Sequence, residues 1–132
     1  MNKVIQKYIK GYENINLSSL HEILDCIGHN FYFSDPFITI KGKDKFEEYF
    51  SNILKKIKNP KFKIISTSKD KSIFFIKWSF CGTYKKKFSF EGISEIEIKN
   101  KLIIKHIDYW DSGRHFYCKI PLLGILFKRI HK

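Results

Sequence analysis

The sequence predicts an α+β domain in which a curved antiparallel or mixed β-sheet packs on three N-terminal helices and closes into a cone. Three observations carry this expectation. Apolar residues recur at helical spacing in the first part of the chain, they alternate from residue 61 onward, and short polar turns join the alternating segments. Helices first and strands after is the α+β order. A sheet that three helices fill on one face must curve, and the mouth of such a cone is a natural pocket. At 132 residues the chain is one domain, 1–132, with 113–132 as a C-terminal tail.

Val4, Ile5, Tyr8, Ile9 and Tyr12 give the first helix one apolar stripe. A second helix is expected from Ser18 or Ser19, where Ser19 and Glu22 fit a capping box, Leu20, Ile23, Leu24 and Ile27 form the buried face, and Gly28 stops the helix. The aromatic strand NFYFSDPFITIKG follows, interrupted by Asp35-Pro36. After Gly42, residues Phe46, Tyr49, Phe50, Ile53, Leu54 and Ile57 show the cleanest helical periodicity, which Asn59-Pro60 ends. Residues 61–68, 72–83, 87–98 and 101–111 read as four strands joined by SKDKS, GTYKK and KNK.

The net charge of +12 raises nucleic acid or anionic lipid as partners. The kind of charge argues against both. Only Arg114 and Arg129 are arginine, the residue that reads phosphate and base edges bidentately; the other basic residues are lysines. The chain has no alanine and is rich in Ile, Asn and Phe, a bias that supplies lysine wherever a solvated charge will do. No apolar run reaches the length of a membrane span, and the N-terminus is too charged for a secretory signal. Cys26, Cys81 and Cys118 lack metal-site spacing and read as reduced thiols, so a cytoplasmic location is expected, with no metal and no cofactor. The 17% aromatic content supports a packed core.

Strand parity picks the inward face. Phe74, Ile76, Trp78 and Phe80 share one face, as do Phe88, Phe90, Gly92, Ser94, Ile96 and Ile98. On the last strand the even positions are Leu102, Ile104, His106, Asp108 and Trp110, and on the first strand Phe33, Asp35 and Phe37 go together. Two carboxylates, one imidazole and one serine therefore point where apolar side chains point. Inward polar groups need a partner or a purpose.

The order of elements resembles the nuclear transport factor 2-like superfamily, which includes ketosteroid isomerases, limonene epoxide hydrolases and SnoaL-like polyketide cyclases. SDPFITIKG, WSF, EGISEIEI, HIDYWD and YCKIPLLGILFKRI are similar to a group of SnoaL-like bacterial proteins. The resemblance implies a cone fold. QKYIKGY resembles the first helix of ketosteroid isomerases, with Tyr8 on their oxyanion-hole tyrosine. Asp35-Pro36 resembles the Asp-Pro that carries their general base, and Ser94 stands where they have a protonated aspartate. Asp108 falls on the first aspartate of the epoxide hydrolases' final-strand motif. The rest of their water-activating set is missing, because Lys77-Trp78-Ser79-Phe80 holds no carboxylate.

The expected function is a metal-independent isomerase, cyclase or lyase that abstracts a proton next to a carbonyl of an apolar small molecule. Asp35 would take the proton, Tyr8, Ser94 or His106 would stabilise the enolate oxygen, and Asp108 would orient His106. Trp78, Ser94, Trp110, Tyr12 and Phe33 would line the pocket. The alternative is a non-catalytic module that binds a small ligand or a partner protein in the same cone. Each residue also has a plain structural role open to it: Asp35 as a turn former, His106 and Asp108 as a satisfied buried pair, the tryptophans and Tyr8 as core. Asp111 has the opposite parity to Asp108 and reads as a turn. The tail is expected to cover the cone or contact a second copy in a homodimer, ahead of lying on a lipid surface.

Overall fold

The computed structural model describes residues 2–111, so the tail expected over 113–132 lies outside the described residues. Helix α1 spans Lys3–Glu13 and is capped by the Asn2 side chain, which accepts the Val4 N–H at 2.8 Å. It buries Ile5, Tyr8, Gly11 and Tyr12. A 3₁₀ turn over Leu17–Ser19 leads into α2, Leu20–Leu24. The cap here differs from the expected one. Asn16 is the N-cap, its Oδ1 accepts the Ser19 N–H, and Ser19 Oγ accepts the Asn16 N–H in return. The helix is also shorter than its apolar pattern suggests. It ends at Leu24, and Ile27 and Gly28 already belong to the first strand, so Gly28 stops nothing.

Strand β1, Ile27–Ser34, turns back through a tight loop into β2, Thr39–Lys41. Helix α3, Lys43–Lys56, follows a Gly42 at φ +104, a conformation open to glycine and costly for other residues. Then come β3 (Lys58–Asp70), β4 (Ile73–Tyr84), β5 (Lys86–Lys99) and β6 (Leu102–Trp110). Asn59-Pro60 lies inside β3, beside a register shift and with Asn59 at φ +52. The helix has ended before it, at Lys56.

The six strands form one sheet in the order β2-β1-β6-β5-β4-β3. All neighbours are antiparallel except β1 and β6, which run parallel. Asn100 and Lys101, both at positive φ, make the two-residue turn between β5 and β6, a geometry whose twist matches that of the strands it joins. Register shifts in β3, at the β5–β6 pair and at the β1–β6 pair bend the sheet, and α1 and α3 pack onto its concave side. One apolar cluster fills that side, from Ile5 and Phe46 on the helices to Trp78, Phe90 and Ile103 on the strands.

The shift near Glu97–Ile98 corrects the parity reading of β6. Glu97 pairs with Lys105 but Ile98 pairs with Ile103, so Ile104 is an extra residue. Upstream of it the faces exchange: Leu102 is exposed and Ile103 is fully buried. Downstream the expected parity holds, and His106 is buried. No helix among the described residues is long and apolar enough to cross a membrane.

Candidate functional site

Register brings the polar side chains together. Ser94 on β5 pairs with Asp108 on β6, and Trp78 on β4 pairs with Gly92, two residues before Ser94. His106 stands two residues before Asp108 on the same inward face. Tyr8 and Tyr12, one helical turn apart on α1, lie over this group, with Tyr8 and His106 ring centroids 5.7 Å apart.

The hydrogen bonds run in one direction, towards Asp108. His106 Nε2 lies 2.6 Å from Asp108 Oδ1 and 3.1 Å from Ser94 Oγ, so Nε2 carries the proton. In the neutral imidazole Nδ1 is then the acceptor, and the Tyr8 hydroxyl, 2.7 Å away, is its donor. Tyr12 hydroxyl approaches that of Tyr8 at 3.4 Å. From the other side, Trp78 Nε1 donates to Ser94 Oγ at 2.8 Å, and Ser94 donates to Asp108 Oδ1 at 2.5 Å. Every donor in the cluster has an acceptor, and the chain ends on one carboxylate oxygen. No described residue donates to the other oxygen, Oδ2. His106 is 4% exposed and Asp108 20%, so the cluster is fixed from within and Asp108 is its accessible end. Burial pushes the Tyr8 and Tyr12 hydroxyls well above the usual tyrosine range, which keeps both as donors.

Gly92 makes the Trp78 bond possible. A Cβ at this position would stand 2.5 Å and 2.6 Å from two Trp78 ring carbons and 2.9 Å from the Tyr109 carbonyl oxygen. The indole packs closely against the glycine, and its N–H reaches Ser94. The G-x-S spacing of the sequence is the footprint of this contact.

Asp35 occupies the loop between β1 and β2. Its Oδ1 accepts the N–H groups of Phe37 and Ile38 at 2.8 and 2.9 Å, and its Oδ2 accepts the Tyr49 hydroxyl at 2.9 Å. This is the turn-forming role. Yet the carboxyl also faces the interior, and burial pushes its pKa up to about 6. The three hydrogen bonds oppose that rise, and the negative charge of Asp108 adds to it.

Two cavities flank the cluster. The inner one, about 30 Å³, is lined by Tyr8, Ser94, His106 and Asp108 among aliphatic side chains, and has room for a water. The outer one, about 80 Å³, is walled mostly by aromatic rings, with Asp35 on its lining. Tyr12, Phe62, Trp78 and Asp108 line both and form the partition. Phe33 lies on the outer wall, as does Trp110, whose ring stacks on Phe90 with centroids 4.4 Å apart. A closed cavity of about 150 Å³ holds a benzene; rings fill most of this cone, and the outer cavity is smaller but opens to solvent, so an occupant can seat one compact group in it and project the rest outwards.

A bent mixed sheet with α1 and α3 on its concave face, here enclosing an interior polar cluster, recurs in known structures. The sequence matches no family model and no curated protein. Solved structures do match. An NTF2-like protein from Burkholderia pseudomallei superposes with a TM-score of 0.77 at 12% identity, covering 89% of this chain and 97% of that one. The chain has the nuclear transport factor 2-like fold. An epoxide hydrolase of the LEH-like kind from Mycobacterium tuberculosis shares this fold with a TM-score of 0.74 at 13% identity, over 97% of this chain and 90% of that one. A protein of ketosteroid isomerase-like fold from Catenulispora acidiphila does so with a TM-score of 0.74 at 12% identity, over 87% and 90%.

Within this NTF2-like cone, all nine residues named from the sequence line one or both cavities. Tyr8, Ser94, His106 and Trp78 join Asp108 in one network, whereas Asp35 belongs to a separate one with Tyr49. Tyr49, Phe62 and Phe90 were missed as site residues. On a helical stripe a tyrosine reads as core, and only the partner of its hydroxyl separates it from phenylalanine.

Proposed function

We propose that the chain is a proton-transfer enzyme, an isomerase, cyclase or lyase that enolises a small carbonyl compound in the outer cavity. The observation that carries this reading is Asp108: Oδ1 is held by His106 and Ser94, while Oδ2 accepts from no described residue at the junction of both cavities. A base held in this way loses little freedom when it takes a proton. Oδ2 removes the proton next to the carbonyl. His106 and Ser94 keep the carboxylate in place, and Tyr8 fixes the imidazole tautomer. On the far wall Asp35, with its pKa pushed up to about 6, is suited to exchange protons near neutral pH and to return one to the product carbon or oxygen. Tyr12, which lines both cavities and whose contact with the Tyr8 hydroxyl is long at 3.4 Å, is the donor that turns to the developing oxyanion.

These roles differ from the sequence-based expectation, in which Asp35 takes the proton and Asp108 only orients His106. The reason is the hydrogen bonding: both Asp35 oxygens already serve donors, and the donors Tyr8, Ser94 and His106 are already spent along the chain that ends on Asp108. The alternative, a binding module without chemistry, makes a different prediction. Incubated in D₂O with a panel of small ketones, aldehydes and amino ketones, the protein is expected to place deuterium at the carbon next to the carbonyl in at least one. Asp108→Asn should slow that exchange by about 10²–10⁴-fold. Exchange that persists in the variant removes Asp108 as the base, and no exchange in any compound leaves the binding module.

A further inference from the structure

The outer cavity is negative, although the chain as a whole carries +12. Asp35 and Asp108 both line it, while no lysine or arginine among the described residues lines either cavity, and no described lysine is buried. The donors that serve Asp35 are two backbone N–H groups and a phenol. Those that serve Asp108 are a hydroxyl and an imidazole N–H, and both come from the inner side. The side of the carboxylates that faces the outer cavity therefore meets no side-chain cation of the described chain.

The rest of the wall is ring surface. Tyr12, Phe33, Phe62, Trp78, Phe90 and Trp110 present aromatic rings to a space of about 80 Å³. Ring faces are the negative ends of the aromatic quadrupole and attract cations, most strongly where water is excluded. A neutral hydrocarbon in this space leaves two carboxylates poorly solvated, and an anion is repelled by both. A compact cation with an apolar surface satisfies rings and carboxylates together.

We propose that the outer cavity selects a small organic cation, a methylated or protonated ammonium group whose positive charge faces Asp35 and Asp108. The inference takes the identity of the site from the proton-transfer reading and adds the charge of its substrate. The two fit chemically, because an ammonium group next to a carbonyl acidifies the C–H bond between them and stabilises the enolate that Asp108 would form.

Intrinsic fluorescence tests it. Trp78 and Trp110 are the two tryptophans of the chain, and both line the cavity. Choline and 3,3-dimethylbutan-1-ol have the same shape and differ in the charge of one atom. At physiological salt, choline is expected to change the emission saturably, with an affinity at least roughly tenfold above that of the neutral alcohol. Asp108→Asn and Asp35→Asn, each shown to be folded by its melting curve, should each weaken choline binding by about tenfold or more. No choline response, equal responses to both compounds, or a response that survives in both variants overturns the proposal. The deuterium experiment separates the two readings. Choline binding without exchange in any carbonyl compound leaves the cation site and removes the enzyme, whereas exchange confined to neutral carbonyls without choline binding does the reverse.

Discussion

Replacing Gly92 by alanine is expected to lower the stability of the protein by about 2–3 kcal/mol, or roughly 10 °C in melting temperature. A methyl group there would meet two Trp78 ring carbons well inside contact distance, with the Tyr109 carbonyl behind it. Backbone cannot retreat as a side-chain tip can, so the indole must lift off the strand. Lifting it breaks the Trp78–Ser94 hydrogen bond and loosens the donor that steadies Asp108. Alanine at Gly92 should therefore also slow any exchange reaction and shift the Trp78 emission. In a Trp78→Phe background, where the ring is smaller, the same substitution should cost much less. A double-mutant cycle would show this as coupling between the two positions. Additive effects, or a Gly92→Ala protein that melts with the wild type, would mean that the indole does not lie on this strand.

The second large effect concerns Asp35, where two substitutions should part company. In the folded protein its carboxyl is pushed from 3.8 to about 6, chiefly by burial. A group that binds its proton more tightly when folded stabilises the fold as pH falls. Its contribution is least favourable above pH 6, improves as pH drops towards 4, and is flat below that. The span corresponds to about 3 kcal/mol. Asn resembles the protonated acid: its oxygen can still accept from Phe37 and Ile38, and its N–H₂ can donate to the Tyr49 oxygen. Asp35→Asn is thus expected to melt at or above the wild-type temperature at pH 7 and to lose the difference in stability between pH 4 and pH 6. Asp35→Ala removes the carboxylate that serves the Phe37 and Ile38 N–H groups and the Tyr49 hydroxyl, at a cost of about 2–4 kcal/mol. Chemical denaturation of the three proteins across this pH range decides the matter. Equal losses in the Asn and Ala proteins would mean that the loop needs the charge itself.

How far the sequence reaches depends on the range of the interaction. Helices α1 and α3 are legible because one apolar stripe is a local signal. The shortness of α2 is not, because its apolar pattern continues into β1. Nor is its cap, since Asn16 and Ser19 satisfy each other across a 3₁₀ turn that looks like ordinary polar sequence. The parallel pairing of β1 with β6 joins residues about seventy apart and leaves no local trace. His106 and Asp108 were legible as inward-facing because the extra residue of β6, Ile104, lies upstream of them. Leu102, on the other side of it, was not. Gly92 and Ser94 were legible as neighbours on one strand face, but what ties them together is an indole from another strand. Asp35 was ambiguous for a physical reason that the structure retains: it forms a turn and faces the cavity at once.

That Asp35 and Asp108 share one water-poor cavity is tested most directly by titrating the carboxyl carbons of ¹³C-labelled aspartate by NMR, in the wild type and in Asp108→Asn. Asp35 is expected to titrate near pH 6 in the wild type. Its midpoint should fall in the variant, because the neighbouring negative charge is one of the causes that raise it. An Asp35 midpoint at the ordinary aspartate value, or one that Asp108→Asn leaves where it was, would contradict a site built on the two carboxylates together.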